Sequence, residues 1–327
     1  MPTWKKTLRA AGIRRADLHA DYSRQRDLVK AFAKKEYLAV RLLLPPALHP
    51  PVIAAVAFMH ATDELIDTGD AADRKNALAQ WAEATRAALG EPAAGTDATL
   101  RTLADTVTRH PGLRPRVEAF LTGAHLDVDY TGFRSEEQLQ EYVTGYSLPA
   151  FMLMAGFVAP ACTRGTHGDQ AAFEAGCRAL IESMQRVDWL DDLAEDAANG
   201  VVGVPQQDLD RHQLTVADIA QPTDSTRRSL AELVQEQTAL AQDQLRAAGR
   251  LPQLVAPATQ PFVTALCRLQ HLKLAAVRQA GGDLADGGAE VALPAVLRTL
   301  IRQYRAASRT RTLAPQDPVQ DAVVAGT

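Results

Sequence analysis

Cysteine is scarce in this 327-residue sequence: Cys162, Cys177 and Cys267 are odd in number and far apart. They support neither a disulfide framework nor a zinc site, and a reducing cytoplasm is the expected compartment. Basic tracts and interleaved basic and aromatic residues are missing, and the net charge is −4, so nucleic acid is not an expected partner. No apolar run reaches the ~20 residues that cross a bilayer. The longest, 148–162, is cut by Pro149, Gly156 and Pro160, so no integral membrane segment is expected. Residues 1–30 are too polar and charged for a signal peptide. Alternating strand-like runs are few. A Gly-rich dinucleotide fingerprint is absent, which argues against a nicotinamide-dependent reduction.

Helix-forming Ala, Leu, Arg, Gln and Glu dominate instead. Apolar residues recur at helical spacing, as in Leu230, Leu233, Val234, Leu240 and Leu245. With 46% hydrophobic and 23% charged residues, the chain has the balance of a soluble globular protein and can bury a sizeable core. The pattern predicts an all-α fold in one domain over residues 1–310, with a disordered tail at 311–327. Pro and Gly clusters bound helices at 23–44, 51–68 and 136–157, a loop at 90–96, a turn at Pro111-Gly112 and a loop at 281–288. A further helix follows 165–168 and ends at Asn199-Gly200 in the manner of a C-cap.

Two acidic clusters stand out. Asp63 and Asp67 are four apart in the otherwise apolar run 52–66, with Glu64 about 100° round from Asp63. A solvated patch or helix-end cap would also carry acids, but an exposed face often pairs them with Lys or Arg four residues away. Asp188, Asp191, Asp192, Glu195 and Asp196 follow at i, i+3, i+4, i+7 and i+8. That spacing normally forms the buried stripe of an amphipathic helix. Packed like charges repel by a few tenths of a kcal/mol per neighbouring pair, and divalent cations relieve this. Mg²⁺ prefers hard oxygen ligands and commonly bridges carboxylates to phosphates. Two such helices facing each other can hold Mg²⁺ against a diphosphate and stabilise its departure. The carbocation left behind needs a dry apolar cavity, for which Phe58, Met59, Phe151, Met152, Met154 and Phe157 are candidates, each equally readable as plain core.

The segments Tyr37-Leu-Ala-Val-Arg-Leu-Leu-Leu-Pro45, Ala55-Val-Ala-Phe-Met-His-Ala-Thr-Asp-Glu-Leu-Ile-Asp67, Glu141-Tyr-Val-Thr-Gly145 and Met184-Gln-Arg-Val-Asp-Trp-Leu-Asp-Asp-Leu-Ala-Glu-Asp196 resemble the squalene/phytoene synthase family, in order, over roughly 25–275. The resemblance implies a single all-α isoprenoid-synthase domain with a central cavity between the acidic helices. It also implies metal binding by Asp63, Asp67, Asp192 and Asp196, with Glu64 in the first motif and Gln185 ahead of the second. Tyr142 falls near the reacting carbons, Lys35 near the diphosphate, and Asp127 matches an acid of the middle helix.

The departures from the family pattern are equally informative. His60 and Asp191 stand where Arg is usual, Asp188 where Asn is usual, Glu36 for Ser, Val201 for Arg, and Ser147-Leu148 for Val-Gly. Head-to-head condensation brings two diphosphates together and calls for cations around the metals. Their replacement by acids argues for one diphosphate per turnover. The chain resembles, in this respect, a few actinomycete members of the family that attach a dimethylallyl group to a carbazole. On this expectation the metal set is supported by Asp188, Lys34, Lys35 and Arg41 grip the diphosphate, and Glu64, Asp191 or His60 accepts the proton lost from the acceptor. Phytoene- or squalene-type condensation and terpene cyclisation are the alternatives. The expected assembly is a monomer or homodimer.

Overall fold

Helices account for all regular structure among residues 2–91, 96–159 and 167–313, the part of the chain that the computed structural model describes, and no strand occurs there. The N-terminal half begins with α1 (Trp4–Ala10), α2 (Ala16–Phe32) and α3 (Lys34–Leu43), followed by the acid-bearing α4 (His49–Asp67). Around α4 lie α5 (Ala71–Gly90), α6 (Ala98–Arg109), α7 (Arg114–Gly123) and the single turn α8 (His125–Val128). Prolines 50 and 51 occupy the first turn of α4, where a missing N–H costs nothing. Phe58, Leu103, Phe120 and Leu153 form the core of this half.

The middle segment joins the halves. It was predicted as one helix over 136–157. It is α9 (Glu136–Tyr142), a π-helical turn over Val143–Ser147 and α10 (Leu148–Ala155). Pro149 has no N–H to give the Gly145 carbonyl, which favours the wider register just before it. Gly145 also approaches α7 so closely that a Cβ on Gly123 would lie 1.9 Å from its carbonyl oxygen. On α10, Met152 faces the second core and Leu153 the first.

The C-terminal half is built on α11 (His167–Asp191), continued by α12 (Leu193–Ala198). The short α13 (Gln206–Arg211) and α14 (Val216–Ala220) lead to the long α15 (Asp224–Ala247), α16 (Gln260–Ala280) and α17 (Leu293–Leu313). Leu190, Leu193, Leu230, Leu233 and Leu274 pack where α11, α15 and α16 meet. A buried polar network fixes α11 one turn before its acids. Arg186 donates to Glu182 and to Gln237, the latter at 3.0 Å, and Gln237 donates to Asp208 at 2.6 Å. Arg186 and Glu182 side chains are each 3% exposed, so removing one partner would strand a buried charge.

Three other boundaries differ from expectation. The helix predicted over 23–44 breaks at Ala33, which has φ −120° and ψ 54°. No Gly or Pro marks that break; Phe32, just before it, stacks on the His60 ring of α4 at 3.8 Å. The 281–288 loop begins as a 3₁₀ turn over Gly281–Ala285. Residues 311–313, expected in the tail, are the end of α17; residues 314–327 and the 92–95 and 165–166 parts of two predicted loops lie outside the described residues. The Asn199 cap is as expected: Gly200 adopts φ +84° and Val201 N–H returns to the Asp196 carbonyl at 3.1 Å.

Candidate active site

The first acidic segment occupies the last two turns of α4. His60, Asp63, Glu64 and Asp67 fall within an arc of about 100° on one face. Asp63 accepts a hydrogen bond from Tyr146 Oη at 3.0 Å. Burial, then the charges of Asp127, Asp67 and Glu64, push its carboxyl up to about 6. Burial likewise raises Asp67 and Asp127, and Arg74 opposes this in both. Glu64 is exposed and lies 3.9 Å from His60 Nε2.

The second segment is not one continuous helix. Backbone geometry changes at Asp192 (φ −92°, ψ 2°), so Glu195 and Asp196 belong to α12. Bonds from Asp192 N–H to the Asp188 carbonyl and from Asp196 N–H to the Asp192 carbonyl, both 2.9 Å, keep these acids within a turn of one another. Asp188 and Asp196 are each pushed up to about 6, chiefly by burial and then by neighbouring carboxylates, with Lys273 opposing at Asp188. Asp192 is raised for the same reasons.

A row of rings connects the segments. Trp189 lies 6.0 Å from Tyr142, Tyr142 5.4 Å from Tyr146, and Tyr146 5.9 Å from Phe120. Gly203 gives Trp189 its place, for a Cβ there would come within 2.1 Å of the indole. Tyr142 donates to Asp127 at 2.5 Å. Burial and Asp127 hold its phenol protonated far above the usual range. Burial raises the Tyr130 phenol, and the charges of Asp196 and Asp127 add to it.

Among the described residues no three metal-competent side chains converge on one point. Each segment instead offers Asp pairs one turn apart, Asp63 with Asp67 and Asp192 with Asp196. That suits Mg²⁺, which keeps several waters and is held by one or two carboxylates together with substrate phosphates.

Several expectations change. Asp191 is tied to other elements: Lys273 Nζ and the Ala289 N–H, the latter at 2.7 Å, donate to its two carboxylate oxygens. These two contacts fasten the turn before α17 to the end of α11. Arg41 is buried between Trp4 and Tyr37 and donates to the Pro2 carbonyl at 2.7 Å. Its charge reaches His49, at the start of α4. At about 1.5 Å per residue, that end lies about 21 Å from Asp63, so Arg41 is not brought to the first acidic segment. Lys34 and Lys35 are exposed at the α2–α3 break, beside the Phe32–His60 stack. Gln185 is half-buried one turn before Asp188. Phe58 is fully buried core rather than cavity wall.

A cavity of about 600 Å³ is lined by Tyr130, Phe133, Tyr142, Val201 and Val202 among others; none of the Phe and Met residues chosen from sequence lines it. Sequence reasoning missed Tyr146, Tyr130, Arg74 and Lys273. Tyr146 could have been found, one turn beyond Tyr142. Lys273 could not, being 82 residues from Asp191.

A family model for squalene/phytoene synthase matches residues 29–299. The chain belongs to the squalene/phytoene synthase family. Phytoene synthase 3, chloroplastic, of Zea mays is 29% identical over 209 residues, covering 62% of this chain and 46% of that protein. Bifunctional protein CrtB/UppS of Streptomyces coelicolor is 28% identical over 209 residues, 64% of this chain and 35% of that protein. The chain therefore spans less than half the length of these relatives. In structure it is similar to squalene synthase HpnC from Alicyclobacillus acidocaldarius, with TM-score 0.68 and 24% identity over 83% of this chain and 98% of the other. It is also similar to a dehydrosqualene synthase solved with a ligand, with TM-score 0.73 and 19% identity over 90% and 98%. Both likenesses concern the fold.

Proposed function

We propose that this protein is a Mg²⁺-dependent prenyltransferase that ionises one allylic diphosphate, such as dimethylallyl diphosphate, and transfers the prenyl group to an aromatic acceptor such as a carbazole. The observation that carries this reading is the charge around the acids. Asp63, Asp67, Asp188, Asp192 and Asp196 form no salt bridge among the described residues, and the cations felt there are Arg74 on one segment and Lys273 on the other. Such a site attracts divalent cations but holds few charges for a second diphosphate.

Asp63 and Asp67, with Asp192 and Asp196, would hold Mg²⁺, which when bound supplies charge to the departing diphosphate. Lys34 and Lys35, at the α2–α3 break, and Lys273 are the chain's own grips on that anion. Tyr142, Tyr146 and Trp189 present π faces between the two segments, where a cation is attracted to the ring quadrupole. Their bulk keeps water from the carbocation. Exposed Glu64 and half-buried His60, on the same face of α4, are the candidates to accept the acceptor's proton. The cavity beside Tyr142 falls within the range of small-molecule pockets, roughly 300–1,000 Å³.

Incubation with dimethylallyl diphosphate, Mg²⁺ and a hydroxylated carbazole should yield a prenylated carbazole. No product there, with a hydrocarbon formed from geranylgeranyl diphosphate alone, would overturn aromatic transfer. That outcome would support the second reading, phytoene- or squalene-type condensation, which the phytoene synthase relatives favour.

A further inference from the structure

The described residues leave eight large apolar side chains exposed, and all but Leu240 lie on α2, α3 and α17, elements packed on one another in that order. α17 is inverted relative to an ordinary packed helix. It buries Gln303 and Ala307, at 6% and 1% exposure, while Leu293 and Ile301 are 64% and 50% exposed. At about 100° per residue, Leu293, Leu297, Ile301 and Tyr304 form a stripe about 80° wide. Arg298, Arg302, Arg305 and Arg309 form an adjoining stripe, all of them exposed. Arg311 donates to the Leu42 and Leu44 carbonyls at 2.9 and 2.7 Å and fastens the end of α17 to α3. α17 holds five arginines and no acid, in a chain of net charge −4. The facing stretch 28–43 adds three exposed cations, Lys30, Lys34 and Lys35, against the single acid Glu36.

A second copy of this chain is a poor occupant for that surface. A two-fold contact sets each patch against itself, which would bring the arginines of one α17 against those of the other. An anionic bilayer answers both stripes at once, with acyl chains for the leucines and phosphates for the arginines. We infer that α17, together with the exposed apolar residues of α2 and α3, is a docking surface for an anionic lipid bilayer, on which the protein lies without spanning it. Among the described residues no helix is long and apolar enough to cross a membrane. The inference is independent of which prenyl acceptor the site uses.

Sedimentation of the full chain with vesicles tests it, using phosphatidylcholine alone or with roughly one phosphatidylglycerol in three. Binding should be at least about tenfold stronger to the anionic vesicles and should fall about tenfold or more in 0.5 M NaCl, where the Debye length shrinks to a few ångströms. The exposed double substitution Leu297→Glu/Ile301→Glu should abolish it with an unchanged melting curve. Arg302→Glu/Arg305→Glu replaces exposed charge with exposed charge, and should weaken anionic binding at least about tenfold even if the first variant fails to fold. Equal binding to both vesicle types, or binding to neither, would overturn the inference. So would light scattering that shows a dimer dissociated by Arg302→Glu/Arg305→Glu.

Discussion

Asparagine at position 63 keeps the shape of aspartate and an oxygen that accepts from Tyr146, but carries no charge. In the folded protein burial and three neighbouring acids push the Asp63 carboxyl from 3.8 up to about 6. The native state thus holds this proton more tightly than the unfolded chain does. Stability falls as pH rises from about 4 to about 6 and stays lower above that. About two units correspond to ~3 kcal/mol; residual solvent contact reduces this to ~1–3 kcal/mol. Asp63→Asn should therefore stabilise the metal-free protein at pH 8. For a chain of this length each kcal/mol moves Tm by about 1.5 °C, so the gain is about 2–4 °C. It should shrink toward zero at pH 4, where the aspartate is protonated in the folded state. Calorimetry in EDTA at both pH values measures it, and the same variant should lose turnover. An Asp63→Asn protein less stable than wild type at pH 8, or a gap indifferent to pH, would refute the electrostatic account of this segment.

Asp191→Ala should lower stability by about 2 kcal/mol, because it leaves the Ala289 N–H and Lys273 without their acceptor; Asp191→Asn should retain the acid limb of the pH–rate profile, and its loss would restore Asp191 as proton acceptor. Arg41→Met should leave KM for the diphosphate within about twofold while costing about 1–2 kcal/mol in a urea melt, since the side chain packs under Trp4 and Tyr37. Arg186→Met should be more damaging, about 3–5 kcal/mol, through the stranded Glu182; a second substitution, Glu182→Leu, should recover part of that loss.

What the sequence made legible was periodic or local. Carboxylates set four apart in the apolar run of α4 announce themselves, as do Pro50 and Pro51 at its start and Asn199-Gly200 at the end of α12. The break at Ala33 was invisible, because no helix-breaking residue marks it; Phe32 beside it meets a ring on α4, a contact distant in sequence. Pro149 hinted at a disturbance in the 136–157 helix but not at a π turn, which also needs the close approach of Gly123 and Gly145. The acids of the second cluster looked equivalent at helical spacing. They are sorted by contacts distant in sequence: Asp191 accepts from Lys273 and the Ala289 N–H, while Asp188, Asp192 and Asp196 form no salt bridge among the described residues. Arg41 illustrates the converse, a cation near a matching motif in sequence but one helix length from the first acidic segment in space.

The central claim is that both acidic segments act together on a single prenyl diphosphate. Diphosphate release from dimethylallyl diphosphate with a carbazole acceptor tests it directly, in wild type, Asp63→Ala and Asp192→Ala, with Mg²⁺ and with EDTA. The expected result is one diphosphate released per prenylated product, falling about a hundredfold or more in either variant and in EDTA. Release that survives both substitutions, or that requires two prenyl diphosphates for each product, would contradict the account.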